Sequence, residues 1–230
     1  MNPDPAVRDR LVLALDVGDL EAAEAMATRV GEWFGVAKVG LELFMEAGPA
    51  AFARFQDLGY RVFADVKLHD IPNTVGRAAR VLGRAGVDIA NFHAAGGVAM
   101  MTAAVDGLRE GAAEAGHGAP AAIAVTVLTS DPDAGAFATR LDAAVEAGCD
   151  GVVCSALEVA AATAAGMRTV VPGIRPAGSA THDQARVGTP GQAIVDGATW
   201  LVIGRAVTAA ADPVGAAAAV HDEVARALVV

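Results

Sequence analysis

The sequence has few aromatic residues and a deficit of positive charge. Aromatic side chains make up 4% of the 230 residues and hydrophobic residues 54%, so the core must consist mainly of small aliphatic side chains. A hydrophobic content this high excludes a disordered chain. The 27 acidic residues outnumber the 17 lysines and arginines, which gives a net charge of −10. This sign is wrong for nucleic acid or an anionic membrane surface, and we expect neither as a partner.

Cysteines, long apolar runs and targeting signals are also scarce. Cys149 and Cys154 have no second cluster of metal-ligating residues beside them, and we interpret both as small buried side chains without chemistry. The longest uncharged stretch, residues 89–105, contains Asn91, His93 and two glycines and is too short for a membrane span. The first ten residues lack the pattern of a signal or transit peptide. We therefore predict a cytoplasmic protein.

Eight short apolar runs alternate with eight alanine-rich stretches of helical period. The runs are nearly continuous rather than alternating, which is typical of parallel strands covered on both faces. Their order predicts right-handed βαβ units of about 29 residues, close to the lower limit for a (β/α)₈ barrel. The predicted strands are 11–17, 36–41, 61–66, 87–92, 121–127, 151–154, 168–171 and 199–203. The predicted helices are 20–30, 49–58, 75–85, 98–115, 136–147, 157–165, 191–196 and 213–228.

The main alternative is an open doubly wound sheet. Such a sheet often carries a G-x-G-x-x-G segment after its first strand, whereas the first run here leads into Gly18-Asp19-Leu20 without that spacing. We therefore predict an α/β protein with a single-domain (β/α)₈ barrel of parallel strands over residues 1–230. In such barrels the catalytic residues lie at the carboxyl ends of the strands.

Charged residues interrupt or end the first three predicted strands. Asp65 and Lys67 are two residues apart, so an extended backbone directs both to one face. Burying either charge alone would cost several kcal/mol, and we expect opposite charges to pair there. The alternative is a set of structural ion pairs that close the barrel mouth. The residues concerned are Asp16, Lys38, Asp65 and Lys67, with Asp70 in the following loop.

Other polar residues near these strand ends have structural explanations. Asp70 could cap the next helix, but Pro72 at the first helical position would leave Ile71 as the N-cap. His69 and His93 are interpreted as packing or hydrogen-bonding residues rather than catalysts.

A phosphate site is predicted near the last two strands. Gly204 and Arg205 follow the eighth strand, where barrels of this kind commonly bind phosphate through backbone N–H groups and a nearby cation. The connection over residues 173–187 is long enough for a lid, and Arg175 and Gln184 could reach a phosphate from it. The alternatives are a turn with a solvated arginine and a disordered excursion.

Residues 65–74, DVKLHDIPNT, resemble the signature of the orotidine 5′-phosphate decarboxylase family. The shorter D-x-K-x-x-D pattern is shared with sugar-phosphate lyases and decarboxylases, so the extension through Thr74 makes the resemblance specific. Further blocks in the same order cover nearly the whole chain. They are residues 13–16 (LALD), 38–40 (KVG), 91–94 (NFHA), 125–130 (VTVLTS), 153–156 (VCSA), 172–176 (PGIRP), 183–184 (DQ) and 203–205 (IGR).

The resemblance implies decarboxylation of orotidine 5′-monophosphate to uridine 5′-monophosphate with no metal or organic cofactor. Lys67 would be the proton donor within an array of Lys38, Asp65, Lys67 and Asp70. Asp70 would come from the neighbouring subunit of a homodimer, accompanied by Ile71 and Thr74. The remaining substrate-binding residues would be Asp16 with Lys38 at the ribose, Thr129 at the pyrimidine, Pro172 beside the pocket, and Arg175, Gln184, Gly204 and Arg205 at the phosphate.

Two other functions remain open at this point. One is a Mg²⁺-dependent sugar-phosphate decarboxylase or lyase that uses Asp65 and Asp70 as metal ligands. The other is a barrel that binds a phosphate ligand without catalysis.

Overall fold

The computed structural model describes residues 3–128, 135–176 and 188–229. Eight parallel strands form a closed barrel in the order β1 to β8, which confirms the predicted (β/α)₈ fold. The strands are β1 (Leu11–Ala14), β2 (Val36–Gly40), β3 (Arg61–Leu68), β4 (Ile89–His93), β5 (Ala121–Val125), β6 (Gly151–Val153), β7 (Arg168–Val171) and β8 (Trp200–Ile203).

Helices surround this barrel and connect the strands. They are α1 (Pro5–Arg8), α2 (Leu20–Val30), α3 (Leu41–Ala47), α4 (Ala50–Asp57), α5 (Pro72–Arg84), α6 (Gly97–Ala115), α7 (Phe137–Glu146), α8 (Val159–Ala164), α9 (Pro190–Val195), α10 (Arg205–Thr208) and α11 (Pro213–Leu228). Among the described residues, none of these helices is long and apolar enough to cross a membrane.

Several element boundaries differ from the sequence-based predictions. Strand β1 ends at Ala14 rather than at residue 17, and β2 ends at Gly40 because α3 begins directly after it. Helix α5 begins at Pro72, as the prediction of Ile71 as its N-cap implied, although the predicted helical stretch covered only residues 75–85. The short helices α1, α3 and α10 were not predicted, because each is too brief to show a full helical period.

Strand β3 continues to Leu68, two residues beyond its predicted end. Between the pairs Ala64–Ala90 and Leu68–Phe92, β3 advances by four residues while β4 advances by two. The two extra residues are accommodated by an irregularity that includes Lys67, whose φ of 48° lies in the left-handed region. Strand β3 therefore extends to Leu68 because Leu68 pairs with Phe92 of β4.

Small and branched side chains fill the barrel, as the composition predicted. Every residue of β1, β2 and β5 is buried, which explains why these runs lack an alternating pattern. Cys149 and Cys154 are buried, and burial raises the pKa of the Cys149 thiol to about 12. The cluster inside the barrel comprises Val12, Ala14, Val36, Phe63, Ile89, Ala121, Ile123, Val170, Trp200 and Val202.

Helices α5 and α6 pack with their backbones in close approach. A Cβ atom on Gly111 of α6 would overlap the carbonyl oxygen of Arg80 on α5, and one on Gly107 would overlap that of Gly76. The Arg80 guanidinium also pairs with Glu114 of α6 at the surface. This packing orients α5, whose N-terminus follows the charged segment at the end of β3.

We expect Gly111→Ala to lower the free energy of unfolding by about 1–2 kcal/mol, measured by urea denaturation. Backbone overlap in a packed interface costs about 1–3 kcal/mol and outweighs the gain of about 1 kcal/mol in helix propensity. Gly118→Ala is the matched control, because Gly118 is exposed and its added Cβ would meet nothing within 4 Å. Equal stability of the two variants would contradict the close approach.

Candidate active site

Four charged side chains, from the loop after β1 and from strands β2 and β3, meet at the carboxyl end of the barrel. Lys38 Nζ lies 2.8 Å from Asp16 Oδ1 and 3.0 Å from Asp65 Oδ2. Lys67 Nζ lies 2.5 Å from Asp65 Oδ1. The order Asp16, Lys38, Asp65, Lys67 therefore alternates in sign, and these four residues form a charged array.

Burial and charge pull the ionisation of the array in opposite directions. Burial alone would raise the pKa of Asp65, but the charges of Lys38 and Lys67 and hydrogen bonds from Lys67 and Asn91 hold it below its usual range. Burial alone would lower the pKa of Lys38, but Asp65 and Asp16 raise it above its ordinary value. Both groups are therefore ionised at neutral pH.

The two lysines of the array differ in exposure. The Lys38 side chain is 8% exposed and that of Lys67 is 29% exposed. Lys38 contacts two carboxylates, whereas the ion pair of Lys67 is with Asp65. These are also the only two lysines in the chain, since all other cationic side chains except histidine are arginines. The presence of only two lysines is a further feature of the sequence that points to these two positions.

Lys67 is held at an unusual backbone conformation. A non-glycine residue in the left-handed region is less stable by about 1–2 kcal/mol, so its surroundings must maintain it. Its backbone N–H donates a hydrogen bond of 2.8 Å to Asn91 Oδ1 on β4.

Asn91 is a site residue that the sequence analysis did not select. Its side chain is fully buried, and Nδ2 donates a hydrogen bond of 2.7 Å to Asp65 Oδ1. The available signal was an amide side chain inside an apolar run that was predicted to be a barrel strand, because a buried polar side chain needs hydrogen-bond partners.

A pocket of about 380 Å³ opens beside the array. One wall is charged, and another is apolar and includes Val125, Val127 and Ile174. Eight of the predicted site residues line this one pocket. They are Asp16, Lys38, Asp65, Lys67, Pro172, Arg175, Gly204 and Arg205.

Three of the predicted phosphate residues, Arg175, Gly204 and Arg205, line the pocket and follow the ends of β7 and β8. Arg175 is buried, and its backbone N–H donates a hydrogen bond of 3.0 Å to the carbonyl of Gly188. Ile174 and Gly188 form an isolated parallel bridge, so the two ends of the long connection lie side by side. Gly204 precedes helix α10, which begins at Arg205. Thr129 and Gln184 lie outside the described residues.

Asp70, Ile71 and Thr74 are exposed and line no part of this pocket in their own chain. Ile71 is the N-cap of α5, as predicted, and makes no side-chain capping bond. Asp70 Oδ1 accepts a hydrogen bond of 2.7 Å from the backbone N–H of Ile71. A single copy of the chain does not bring these three residues to the array.

Comparison with known proteins accounts for this combination of barrel and site. The model of the family described as "Orotidine 5′-phosphate decarboxylase / HUMPS family" matches residues 9–220. The chain belongs to this family.

Individual members of the orotidine 5′-phosphate decarboxylase family match nearly the whole chain. Proteins named orotidine 5′-phosphate decarboxylase from Moorella thermoacetica and Nitratidesulfovibrio vulgaris are 49% and 46% identical to it, and cover 94% of it in both cases. The alignments span 92% and 97% of those proteins. The crystal structure of orotidine 5′-phosphate decarboxylase from Lactobacillus acidophilus superposes with a TM-score of 0.77 at 36% identity, covering 93% of this chain and 98% of that one.

Two histidines lie next to the array in this family member. The rings of His69 and His93 are 5.3 Å apart between centroids, and neither residue lines the pocket. Burial and the nearby charges of His69, Lys67 and Arg140 lower the pKa of His93, which is therefore neutral near pH 7. Over the described part of the chain, no cluster of three or more acidic, histidine or cysteine side chains is suited to a metal ion.

We expect Lys38→Met to lower the free energy of unfolding by about 3–5 kcal/mol near pH 7, because it leaves the buried Asp65 short of one counter-charge. The depressed pKa of Asp65 stabilises the folded protein above its unfolded-state value of about 3.9, and this contribution is lost on acidification. Lys38→Met has less of this contribution to lose, so the cost of the substitution should shrink as the pH falls below about 4.

Urea denaturation over this pH range measures the effect. Arg54→Met serves as control, since it removes a solvent-exposed partner of Glu24 and should change stability little. A cost of Lys38→Met that did not vary with pH would contradict the pairing with Asp65.

Proposed function

We propose that this protein decarboxylates orotidine 5′-monophosphate to uridine 5′-monophosphate, the last step of de novo pyrimidine synthesis, with no metal or organic cofactor. The observation that carries the proposal is the charged array beside a pocket lined by Arg175, Gly204 and Arg205. The names of relatives that align over more than nine-tenths of this chain support the same substrate.

The chemistry requires electrostatic stabilisation rather than a covalent electron sink. When the bond between C6 and the carboxylate breaks, CO₂ leaves and the electron pair stays at C6 in the plane of the ring, where the π system cannot accept it. An ammonium group fixed beside C6 stabilises this charge and then donates its proton to C6. Solvent would return the proton to the lysine in the next cycle.

Lys67 is the better candidate for the proton donor. It is the more exposed of the two lysines and lines the pocket, whereas Lys38 is held between Asp16 and Asp65. Asp65 keeps Lys67 in its charged form and fixes its position. Lys38 pairs with the second oxygen of Asp65 and compensates its charge. The side chain of Asp16 remains accessible to a sugar hydroxyl.

Binding energy from the nucleotide must supply much of the barrier lowering. One ion pair at about 4 Å contributes roughly 4 kcal/mol at an effective dielectric of about 20. Very slow uncatalysed reactions need about 20 kcal/mol or more. Interactions with the phosphate, far from C6, can hold the ring against the preorganised array. The residues proposed to bind the phosphate are Arg175, Gln184, Gly204 and Arg205. Thr129 and Pro172 are proposed to lie at the ring.

The active unit in this proposal is a homodimer. Asp70 and Thr74 are exposed polar residues and Ile71 is an apolar side chain that is 65% exposed, all at one edge of the barrel mouth. A second copy could bury Ile71 and bring Asp70 to the array, where a carboxylate would face Lys67. Each site would then contain Lys67 from one subunit and Asp70 from the other.

The decisive assay follows the loss of orotidine absorbance after addition of purified protein without added metal. We expect wild-type protein to turn over the substrate and Lys67→Ala to lower kcat by more than about a thousandfold, because removing the acid loses both proton transfer and charge stabilisation. Binding of uridine 5′-monophosphate to Lys67→Ala, measured by calorimetry, should persist. Unchanged turnover in this variant would refute its role as proton donor.

The same assay separates the two other functions. Activity that disappears on exhaustive chelation and returns with Mg²⁺ would favour the metal-dependent lyase or decarboxylase. That function is less well supported, because both oxygens of Asp65 already contact lysine ammonium groups. Nucleotide binding without any turnover by wild-type protein would favour a non-catalytic barrel.

Mixing two inactive variants tests the shared site. Lys67→Ala and Asp70→Ala chains that exchange subunits should form hybrid dimers in which one of the two sites has both wild-type residues. We expect the mixture to regain up to about half of the wild-type activity per hybrid, whereas each variant alone stays inactive. Subunit exchange is verified with chains of different mass, and exchanged hybrids without activity would contradict a shared site.

A further inference from the structure

Asn91 lies behind the charged array and outside the pocket. It is a residue of β4, its side chain is fully buried, and it is absent from the pocket lining. Its carboxamide connects Asp65 and Lys67, which both lie in the irregular segment of β3 between Ala64 and Leu68. The oxygen accepts from the backbone N–H of Lys67 at 2.8 Å, and the nitrogen donates to Asp65 Oδ1 at 2.7 Å.

These two hydrogen bonds act on the two features of the array that need restraint. The first holds Lys67 in a left-handed conformation that a lysine adopts only when its surroundings enforce it. The second fixes Asp65 Oδ1, the oxygen that contacts the Lys67 ammonium, while Lys38 holds Oδ2. Asp65 is thereby held at both oxygens by three donors from three strands.

Only a side-chain amide of this length supplies both bonds. An ionised aspartate offers the acceptor for Lys67 but no donor for Asp65, and it adds a like charge beside it. An apolar side chain would leave a buried N–H group and a carboxylate oxygen short of a partner. Glutamine would add a methylene group to a position with no exposed surface.

We propose that Asn91 is a positioning residue for the decarboxylation, which sets the place of the Lys67 ammonium through the Lys67 backbone and the Asp65 carboxylate. This inference rests on the proposed function, because it assigns Asn91 a role in that reaction. Asn91 does not touch the substrate in this account. Its removal should therefore impair the chemical step more than substrate binding.

The first test compares Asn91→Ala with Thr169→Val. Thr169 is equally buried and exchanges hydrogen bonds with Thr199 at the amino end of the barrel, remote from the array. Asn91→Ala loses two side-chain hydrogen bonds and Thr169→Val loses one, and unfolding curves measure how far each variant is destabilised. We expect Asn91→Ala to lower kcat about a hundredfold with KM changed only a few-fold, because misplacement by about 1 Å has that effect. Thr169→Val should retain wild-type kcat.

The pH profile of Asn91→Asp is a second test and uses a nearly isosteric side chain. A protonated carboxyl at this position can donate to Asp65 as the amide does, whereas its ionised form cannot. Activity relative to wild type should therefore be greatest at acidic pH and fall as the pH rises. The charged and titratable groups around Asn91, which are Asp65, Lys67, Lys38 and His93, are present in both proteins, so the ratio isolates the introduced group.

A third measurement does not depend on activity. Because the chain has only two lysines, protein labelled with ¹⁵N- and ¹³C-lysine gives side-chain signals from Lys38 and Lys67 alone. Asn91→Ala should shift the Lys67 signal, and Thr169→Val should shift neither.

The outcomes separate this inference from the proposed function. Wild-type protein without turnover of orotidine 5′-monophosphate would overturn both. Wild-type turnover together with an unchanged kcat in Asn91→Ala, or with a parallel loss in Asn91→Ala and Thr169→Val, would overturn the inference alone. If Asn91→Ala does not fold, a pH-independent activity ratio for Asn91→Asp would overturn it as well.

Discussion

The site depends on one buried carboxylate that two lysines share. Asp65 contacts Lys38 through one oxygen and Lys67 through the other, and these contacts keep it ionised despite its burial. A buried charge cluster of this kind is costly to desolvate and adds little net stability compared with apolar packing. Its value lies in fixing charges before the substrate arrives, so that no reorganisation is needed when the ring anion forms.

The barrel provides the rigid frame that such a cluster needs. Lys38, Asp65 and Asn91 belong to β2, β3 and β4, and Asp16 follows β1. The parallel pairing brings the carboxyl ends of these four strands to one rim. The irregularity in β3 is the exception to regular pairing, and it occurs at Lys67. Local strain at this residue is balanced by the bond to Asn91, so the least regular part of the sheet is the part where the chemistry is proposed.

Much of the architecture could be predicted because burial on both faces leaves a simple pattern. All eight predicted strands exist, and Asp16, Lys38, Asp65 and Lys67 converge as their positions at strand ends implied. The extension of β3 to Leu68 and the contacts of Asn91 could not be predicted in the same way, since both depend on the alignment of β3 with β4. Helix α3 was missed because its seven residues are too few to show a regular helical pattern of apolar positions.

The sequence by itself determined the alternation of strands and helices, the charges at the strand ends and the resemblance to a family, because these properties are local or lie in the order of residues. The tertiary structure decided which charges pair, that Asn91 links Asp65 to Lys67, and that Asp70, Ile71 and Thr74 do not line the pocket of their own chain. The physical reason is strand register. Residues 16, 38, 65 and 91 are more than twenty positions apart from one another, and only closure of the barrel sets the distances between their side chains.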